Sequence, residues 1–330
     1  MPRRFSISIA TAATLLLGGA MLSGADAQAP AATGYPAKPV RVLVAFAPAG
    51  PTDIMARVIG QKLTEQWGQT VVVENRPGAG GNVATQAVAR AAADGYTVLC
   101  ITTAFAVNPS LSRDAGYVAE RDFVTAIVPA SGPNIMVVNP KVPAQTLQEF
   151  IALARSGKLN YASAGVGTTP HLGAEYLLRV IAKVDITHIP YNGGAPAVAA
   201  AAGGHVEMTS VAVSAAVAMV KDGQVRALAV TGLKRLPALP DVPTVAESGF
   251  PGYEAATWVG FFLPAGTPPA IVEQWNAGVN QALRLPDVVE RLTAVGLEVV
   301  GGSQKESAQY VADEIVKWGR VVREVGVKVE

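Results

Sequence analysis

Apolar positions along this chain alternate between two kinds of pattern. Residues 40–45 form a continuous apolar run of the kind buried parallel strands show. From Asp53 onward the pattern changes: Met55, Ile59 and Leu63, with Ile54 and Val58 beside them, recur at helical spacing, and Gly68 stands just past the end. Residues 71–74 then read as a strand, 82–93 as an Ala-rich helix closed by Asp94-Gly95, and 96–102 as a third strand. This order predicts a parallel sheet covered by helices.

Two further apolar runs, 123–128 and 135–138, are separated by Pro129, Gly132 and Pro133, a break that suits a chain passing between domains. A second unit repeats the alternation. It has a helix over 147–154, a strand over 159–162, and a helix from Pro170 with Thr169 as its N-cap and Leu172, Tyr176, Leu177, Val180 and Ile181 as its buried stripe. A strand over 186–189, a helix over 196–202 ended by Gly203-Gly204, and a strand over 225–230 follow. The proline-rich stretch 236–243 is where the chain is expected to cross back. A strand over 258–263 and helices over 270–283 and 307–321 then complete the first unit. The expectation is an α/β protein of two domains, 35–128 with 253–330 and 129–252, each a mostly parallel sheet flanked by helices. Closure about the crossings near 129–134 and 240–252 is expected, because proline and glycine interrupt the apolar runs there.

The N-terminus changes this picture only by subtraction. Residues 1–27 read as a secretory signal: Arg3 and Arg4 are the basic start, 7–22 the apolar stretch, and Ala25-Asp26-Ala27 the small-residue cleavage site. Thr11, Thr14, Gly18 and Gly19 dilute the stretch, which is short for a membrane span. Its removal takes two of 26 basic and one of 25 acidic residues, leaving 24 of each. A near-neutral chain argues against nucleic acid or an anionic membrane as partner. The single cysteine, Cys100, cannot form an internal disulfide and reads as core packing in its apolar run. A periplasmic monomer is expected.

Three loops share one build: Pro48-Ala49-Gly50-Pro51-Thr52-Asp53, Pro77-Gly78-Ala79-Gly80-Gly81-Asn82 and Ser163-Ala164-Gly165-Val166-Gly167-Thr168-Thr169-Pro170. Each follows a strand-like run and opens a helical pattern. Glycine lets backbone approach a ligand closely, and the free N–H groups at a helix start favour an anion. Enzyme chemistry finds less support. His171, His188 and His205 lie in different elements without a partner at metal-ligand spacing, and Ser163 lacks the G-x-S-x-G elbow. Val83 stands where a dinucleotide fingerprint needs its last glycine, and Asn82-Val83 where a P-loop needs Lys and Ser/Thr. No catalysis, metal or cofactor is expected.

A resemblance covers nearly the whole mature chain. Tyr35-Pro36-Ala37-Lys38-Pro39-Val40-Arg41, the Pro-x-Gly-x-x-Asp loop running into Ile54-Met55-Ala56-Arg57, Glu74-Asn75-Arg76-Pro77-Gly78-Ala79-Gly80-Gly81-Asn82, Asp94-Gly95-Tyr96-Thr97 and the Ser163 loop through His171-Leu172 resemble the substrate-binding receptors of tripartite tricarboxylate transporters, the TctC-like or Bug family. Ile189-Pro190-Tyr191-Asn192-Gly193-Gly194, Ala227-Leu228-Ala229-Val230-Thr231, Leu239-Pro240-Asp241-Val242-Pro243-Thr244 and Pro264-Ala265-Gly266-Thr267-Pro268 continue the match. Each alone is ordinary turn chemistry; their order makes the match specific.

The resemblance implies a periplasmic binding protein of type II, a Venus flytrap that hands a small organic carboxylate to a membrane permease. A carboxylate sensor with a membrane signalling partner is the alternative. The implied contacts are Ala49, Gly50, Pro51, Thr52 and Asp53 in the first loop and Ser163, Gly165, Gly167, Thr168 and Thr169 in the second, with Tyr191 and Asn192 beside them. Ala49 departs from the family's glycine pair and narrows the backbone angles open to the loop. Residues 207–214 also depart, with Ser210, Val211 and Ala212 where the family more often has bulkier or amide residues, which enlarges the pocket or makes it more apolar. Asp53 reads first as a cap and loop-shaping group, since its charge repels a carboxylate. Arg76 is either a surface partner of Glu74 or a brace for the glycines after it, with the brace favoured. Tyr191 is a strand-end aromatic or a pocket wall. Thr168 and Thr169 compete for the N-cap, leaving one hydroxyl for a ligand.

Overall fold

The computed structural model describes residues 34–112 and 115–326. The signal reading of 1–27 lies outside them. The chain runs β1 (Val40–Val44), α1 (Pro51–Trp67), β2 (Val71–Asn75), α2 (Asn82–Ala89), β3 (Thr97–Thr102), α3 (Ala104–Leu111), α4 (Ala119–Asp122) and β4 (Phe123–Val138). It continues through α5 (Leu147–Ser156), β5 (Asn160–Ser163), α6 (Thr169–Glu175), β6 (Thr187–Pro190), α7 (Gly194–Ala202), β7 (Met208–Ala212), α8 (Val213–Lys221) and β8 (Arg226–Val230). β9 (Ala256–Pro264), α9 (Pro269–Leu283), α10 (Pro286–Ala294), β10 (Glu298–Val299) and α11 (Gln304–Val325) close it. Both predicted sheets form. Elements the sequence reading did not assign are α3, which contains Pro109, α4, α10, the short β10, and the pair β7 and α8, where small and apolar residues with Thr209, Ser210 and Ser214 among them carry no clear change of period.

The strand order is β2-β1-β3-β9-β4-β7-β5-β6, with β8 and β10 also paired to β4. β1 pairs β2 and β3 in parallel, and β5 likewise pairs β6 and β7. The parallel character therefore holds at the outer part of each half. The centre is antiparallel, because β4 and β9 run back along their neighbours. The break read at Pro129, Gly132 and Pro133 is a single 16-residue strand. Its pairing changes hands: Phe123 to Pro133 face β9, and Asn134 to Val138 face β7. Register shifts in the β4–β9 ladder, after Thr125 and after Ile127, absorb the bend without breaking the strand.

Period-two alternation explains why each half has two cores. On β1, Val40, Val42 and Val44 pack with Met55, Ile59, Leu63 and Trp275, while Leu43 and Ala45 face Phe105, Trp258 and Phe262. In the other half, Met136, Phe150 and Leu177 form one layer and Val137, Val198 and Val211 the other. Cys100 is fully buried in the first layer, its Sγ 3.5 Å from Thr52 O, and burial pushes its thiol pKa up. This arrangement brings the C-terminal ends of β1, β3, β5 and β7 to one seam, the ends where open α/β sheets hold ligands.

Candidate ligand site between the two halves

The first loop is shaped from within. Gly50 is the N-cap of α1 and Pro51 its first residue, where a fixed φ and a missing N–H cost nothing. Asp53 turns back from the third position and accepts from the Ala49 N–H, Arg57 Nε and Asn75 Nδ2, each at 3.0 Å. Burial alone would raise its carboxyl pKa, but the hydrogen bonds from Arg57, Ala49 and Asn75 outweigh burial and hold it below the usual value. Ala49 sits at φ +66°, a left-handed conformation that costs an alanine roughly 1 kcal/mol and that the Asp53 bond helps to hold. Thr52 is fully buried, and its hydroxyl meets no partner among the described residues. Arg76 is not the expected brace: its Nε pairs with Glu74 Oε1 at 2.6 Å on a half-exposed surface.

Beneath the second loop lie two imidazoles in tilted contact. His171 on α6 and His188 on β6 have ring centroids 4.1 Å apart. His188 Nε2 meets Ser163 Oγ at 2.7 Å, and Ser163 Oγ accepts the Gly165 N–H at 3.2 Å. The Gly167 N–H points to His171 Nδ1 at 3.4 Å. Burial, with the Arg179 charge, lowers the pKa of His188 to about 4; burial, with the His188 and Arg179 charges, lowers that of His171 to about 3. Both rings are neutral at pH 7.

The threonines behave differently from their reading as ligand donors. Thr168, not Thr169, is the N-cap of α6, and its Oγ1 donates to Gly165 O at 2.7 Å. Thr169 Oγ1 bonds Thr257 Oγ1, and Thr257 Oγ1 donates to Asn134 Oδ1 at 2.6 Å, so the Thr169 proton is the one between the two threonines. Asn134 is the β4 residue at which the pairing changes hands. The unengaged donors here are amides: Leu172 N–H to Thr168 O is the first helical bond, so the N–H groups of Thr169 and His171 precede it. On α1 the same holds for Thr52 and Asp53, ahead of Ile54 N–H to Gly50 O.

The two halves meet across these loops. Ala47 N–H donates to Asn192 O at 3.0 Å. Gly80, at φ +62°, lies against Val166 O, and Gly167, at φ +82°, against Asn108 Oδ1, so a side chain at either would collide and be strained. Behind the seam is a cavity of about 20 Å³, room for about one water molecule. Gly50 and Pro51 open α1 into it, Thr102 precedes α3, Thr168 and Pro170 open α6, Gly194 opens α7 and Ala212 leads into α8. Phe46, Ala164 and Thr257 complete a wall without a charged side chain. Larger hollows lie elsewhere; one of about 1010 Å³ lies beside Arg226 and Asp241 and includes Thr146 and Leu147 at the start of α5.

Comparison with known proteins places this architecture. A family model described as "Tripartite tricarboxylate transporter family receptor" matches residues 55–327. The chain belongs to this receptor family. It is 38% identical to the protein BugT of Bordetella pertussis over 318 residues, covering 94% of this chain and 97% of BugT. R. palustris Rpa4515, in a structure with adipate, superimposes with TM-score 0.85 at 37% identity, covering 88% of this chain and 98% of that one. MatC (Rpa3494) from Rhodopseudomonas palustris, with bound malate, gives TM-score 0.83 at 35% identity, covering 87% and 100%. The fold is that of the periplasmic binding proteins.

Within this receptor fold, Gly50, Pro51 and Thr168 line the cavity, and Thr52, Asp53, Ser163, Gly165, Gly167 and Thr169 stand behind it as loop framework. Ala49 is on the outer side of its loop. Tyr191 and Asn192 hold the seam instead of lining the cavity: Tyr191 N–H donates to Ser163 O at 3.1 Å, and Asn192 supplies the carbonyl to Ala47. Of the other lining residues, the sequence marks Ala212 as shaping the pocket and Pro170 as the end of the Ser163 loop, while Phe46, Thr102, Gly194 and Thr257 are absent from the sequence reading of the site. Thr102, Gly194 and Ala212 stand at a strand end or helix start, the positions that converge in an open α/β sheet. Among the described residues no three His, Cys, Asp or Glu side chains stand together to hold a metal, and no helix is long and apolar enough to cross a membrane.

Proposed function

We propose that this protein is an extracytoplasmic solute-binding receptor that captures a small organic carboxylate and delivers it to a tripartite tricarboxylate-type permease. One observation carries the reading: five helices begin at a cavity whose wall contains no charged side chain. Helix starts supply N–H donors and about half a positive charge each, enough to hold an anion without an arginine. The adipate and malate in the two R. palustris structures support the same ligand class. A cavity of about 20 Å³ is smaller than any such acid, so entry requires the halves to part. We place the division at 35–128 with 253–330 against 129–252, the chain crossing within β4 and again before β9. Export through residues 1–27 belongs to this reading, as do a monomeric receptor and the absence of catalysis.

Thermal unfolding with a panel of mono-, di- and tricarboxylates tests it. At a hundredfold excess over its Kd, a true ligand adds about 2.7 kcal/mol, a shift of roughly 5 °C for a chain of this size. A panel that leaves the midpoint unmoved while a neutral sugar raises it would exclude the carboxylate reading.

A further inference from the structure

We infer that the glycine loop at 77–82 is the closing surface of the first half, pinned by Asn108, and that it governs how readily the halves shut without touching the ligand, an inference that rests on the proposed division into halves. The loop has the build of an anion site, yet none of its residues lines the cavity. It faces the other half instead. A Cβ on Gly80 would collide with Val166 O, and a Cβ on Gly165 would stand 3.6 Å from the Gly80 Cα. Backbone therefore lies on backbone across the seam, and Gly80 at φ +62° and Gly165 at φ +132° adopt angles that suit glycine.

Asn108 on α3 fixes this loop from within its own half. Its Nδ2 donates to Gly80 O at 3.0 Å and to Asn82 Oδ1 at 2.7 Å, which uses both amide protons. Its Oδ1 lies against Gly167 of the second loop. One buried amide thus holds the loop and meets the other half at once. The seam has a second contact, where the Ala47 N–H donates to Asn192 O and a Cβ on Gly193 would stand 3.0 Å from that of Ala47. None of the residues in either contact lines the cavity. A contact made only when the halves are shut helps every ligand equally, because apparent affinity scales with the fraction of molecules in the binding-competent form. A residue that touches the ligand changes the ranking of ligands instead.

Gly68 supplies the control. It stands at φ +67°, close to the angle of Gly80, but a Cβ there would meet nothing within 4 Å. Gly68→Ala therefore carries the backbone strain alone, and Gly80→Ala carries the strain plus the collision at the seam. Without ligand, hydrogen exchange of the Ala47 amide, measured against that of Val42 inside β1, should be at least fivefold faster in Gly80→Ala than in Gly68→Ala. With ligand, titration calorimetry on the mature protein should show every carboxylate that binds weakened by one common factor, at least fivefold in Gly80→Ala and less than twofold in Gly68→Ala. No difference between the two variants in either measurement overturns the inference, as does a loss that varies from acid to acid, which would make 77–82 a ligand contact. Exchange needs no ligand, so if no acid of the panel binds, the carboxylate reading falls and the exchange ratio still decides. Should Gly80→Ala fail to fold, Asn108→Ala loosens the loop without adding an atom and is read by the same two measurements.

Discussion

The two loops that open α1 and α6 solve one problem in opposite ways. Each must hold a turn rich in small residues open enough to present helix amides. The first does it with one buried negative charge: Asp53 gathers three donors, and the neighbouring Thr52 hydroxyl is left without a partner. The second does it with two neutral rings and a relay of hydroxyls, in which Ser163, Thr168 and Thr169 are all engaged by the protein itself. The first loop is thus charge-braced with a donor in reserve. The second presents only amides, and its relay runs through Thr257 to Asn134, where the sheet passes from one half to the other. On the second side the relay ties loop shape to the strand that joins the halves, whereas the first loop touches the other half through backbone, the Ala47 N–H donating to Asn192 O.

Acid should break the two braces at different pH, and this is the largest effect expected. His171 and His188 have folded pKa values of about 3 and about 4 against 6.5 for a free imidazole, so the unfolded chain takes up protons first as pH falls. Stability is therefore full above about pH 6.5 and declines below it, until the folded values are reached. Between pH 7 and pH 5 each ring accounts for about 2 kcal/mol, and the pair for about 4 kcal/mol. The Asp53 shift is also downward but acts at lower pH: its contribution is present above the unfolded carboxyl value and is lost as pH drops through its depressed folded value. Urea unfolding at pH 7, 6 and 5 measures the first window. A protein equally stable at pH 7 and pH 5 would mean that the rings do not have to be neutral in the fold.

The next largest effect isolates the first brace. Asp53→Asn keeps the shape but turns a charged acceptor of three bonds into a neutral group with a donor facing donors. It should cost about 3 kcal/mol at pH 7. The loss should shrink in acid below the unfolded carboxyl value, as the native carboxyl is itself protonated. Arg57 is half-exposed, so Arg57→Ala should cost far less. A deficit under 1 kcal/mol for Asp53→Asn would show that the backbone of the loop holds its shape unaided.

How far the sequence carries this comparison depends on the range of the interaction. The helical stripe of α1, the Pro51 and Gly50 start, and the loop-shaping role of Asp53 are encoded within a few residues and are legible. The stretch 129–134 is not legible as a strand: its prolines and glycine read as a break, whereas β4 continues through it because β9 pairs it up to Pro133 and β7 from Asn134. The histidines show the opposite limit. His171 and His188 are 17 positions apart on a helix and a strand, and nothing local says that their rings meet beside Ser163. The threonine hydroxyls looked available because their acceptors are distant, Thr257 being 88 residues from Thr169. Long-range partners decide which donors remain for a ligand.

The smallest effect expected is also the sharpest test of the difference between the loops, because it uses one substitution at two sites. Thr52→Val removes a buried hydroxyl that has no partner, so the unliganded protein should keep its stability or gain about 1 kcal/mol. If that hydroxyl is the donor held in reserve, affinity for the carboxylate should fall by about 5- to 150-fold, the equivalent of roughly 1 to 3 kcal/mol for one lost bond to a charged group. Thr168→Val removes a hydroxyl already bonded to Gly165 O at 2.7 Å, so stability should fall by about 1 kcal/mol. Gly165 O retains the Thr168 N–H at 3.3 Å, which keeps the turn closed and limits the loss of affinity to a few-fold. Urea unfolding and titration calorimetry on both variants give a two-by-two pattern: affinity without stability at residue 52, stability with little affinity at residue 168. The reverse pattern would mean that the Thr168 proton turns from Gly165 to the ligand on binding, and that the second loop, not the first, holds the spare donor.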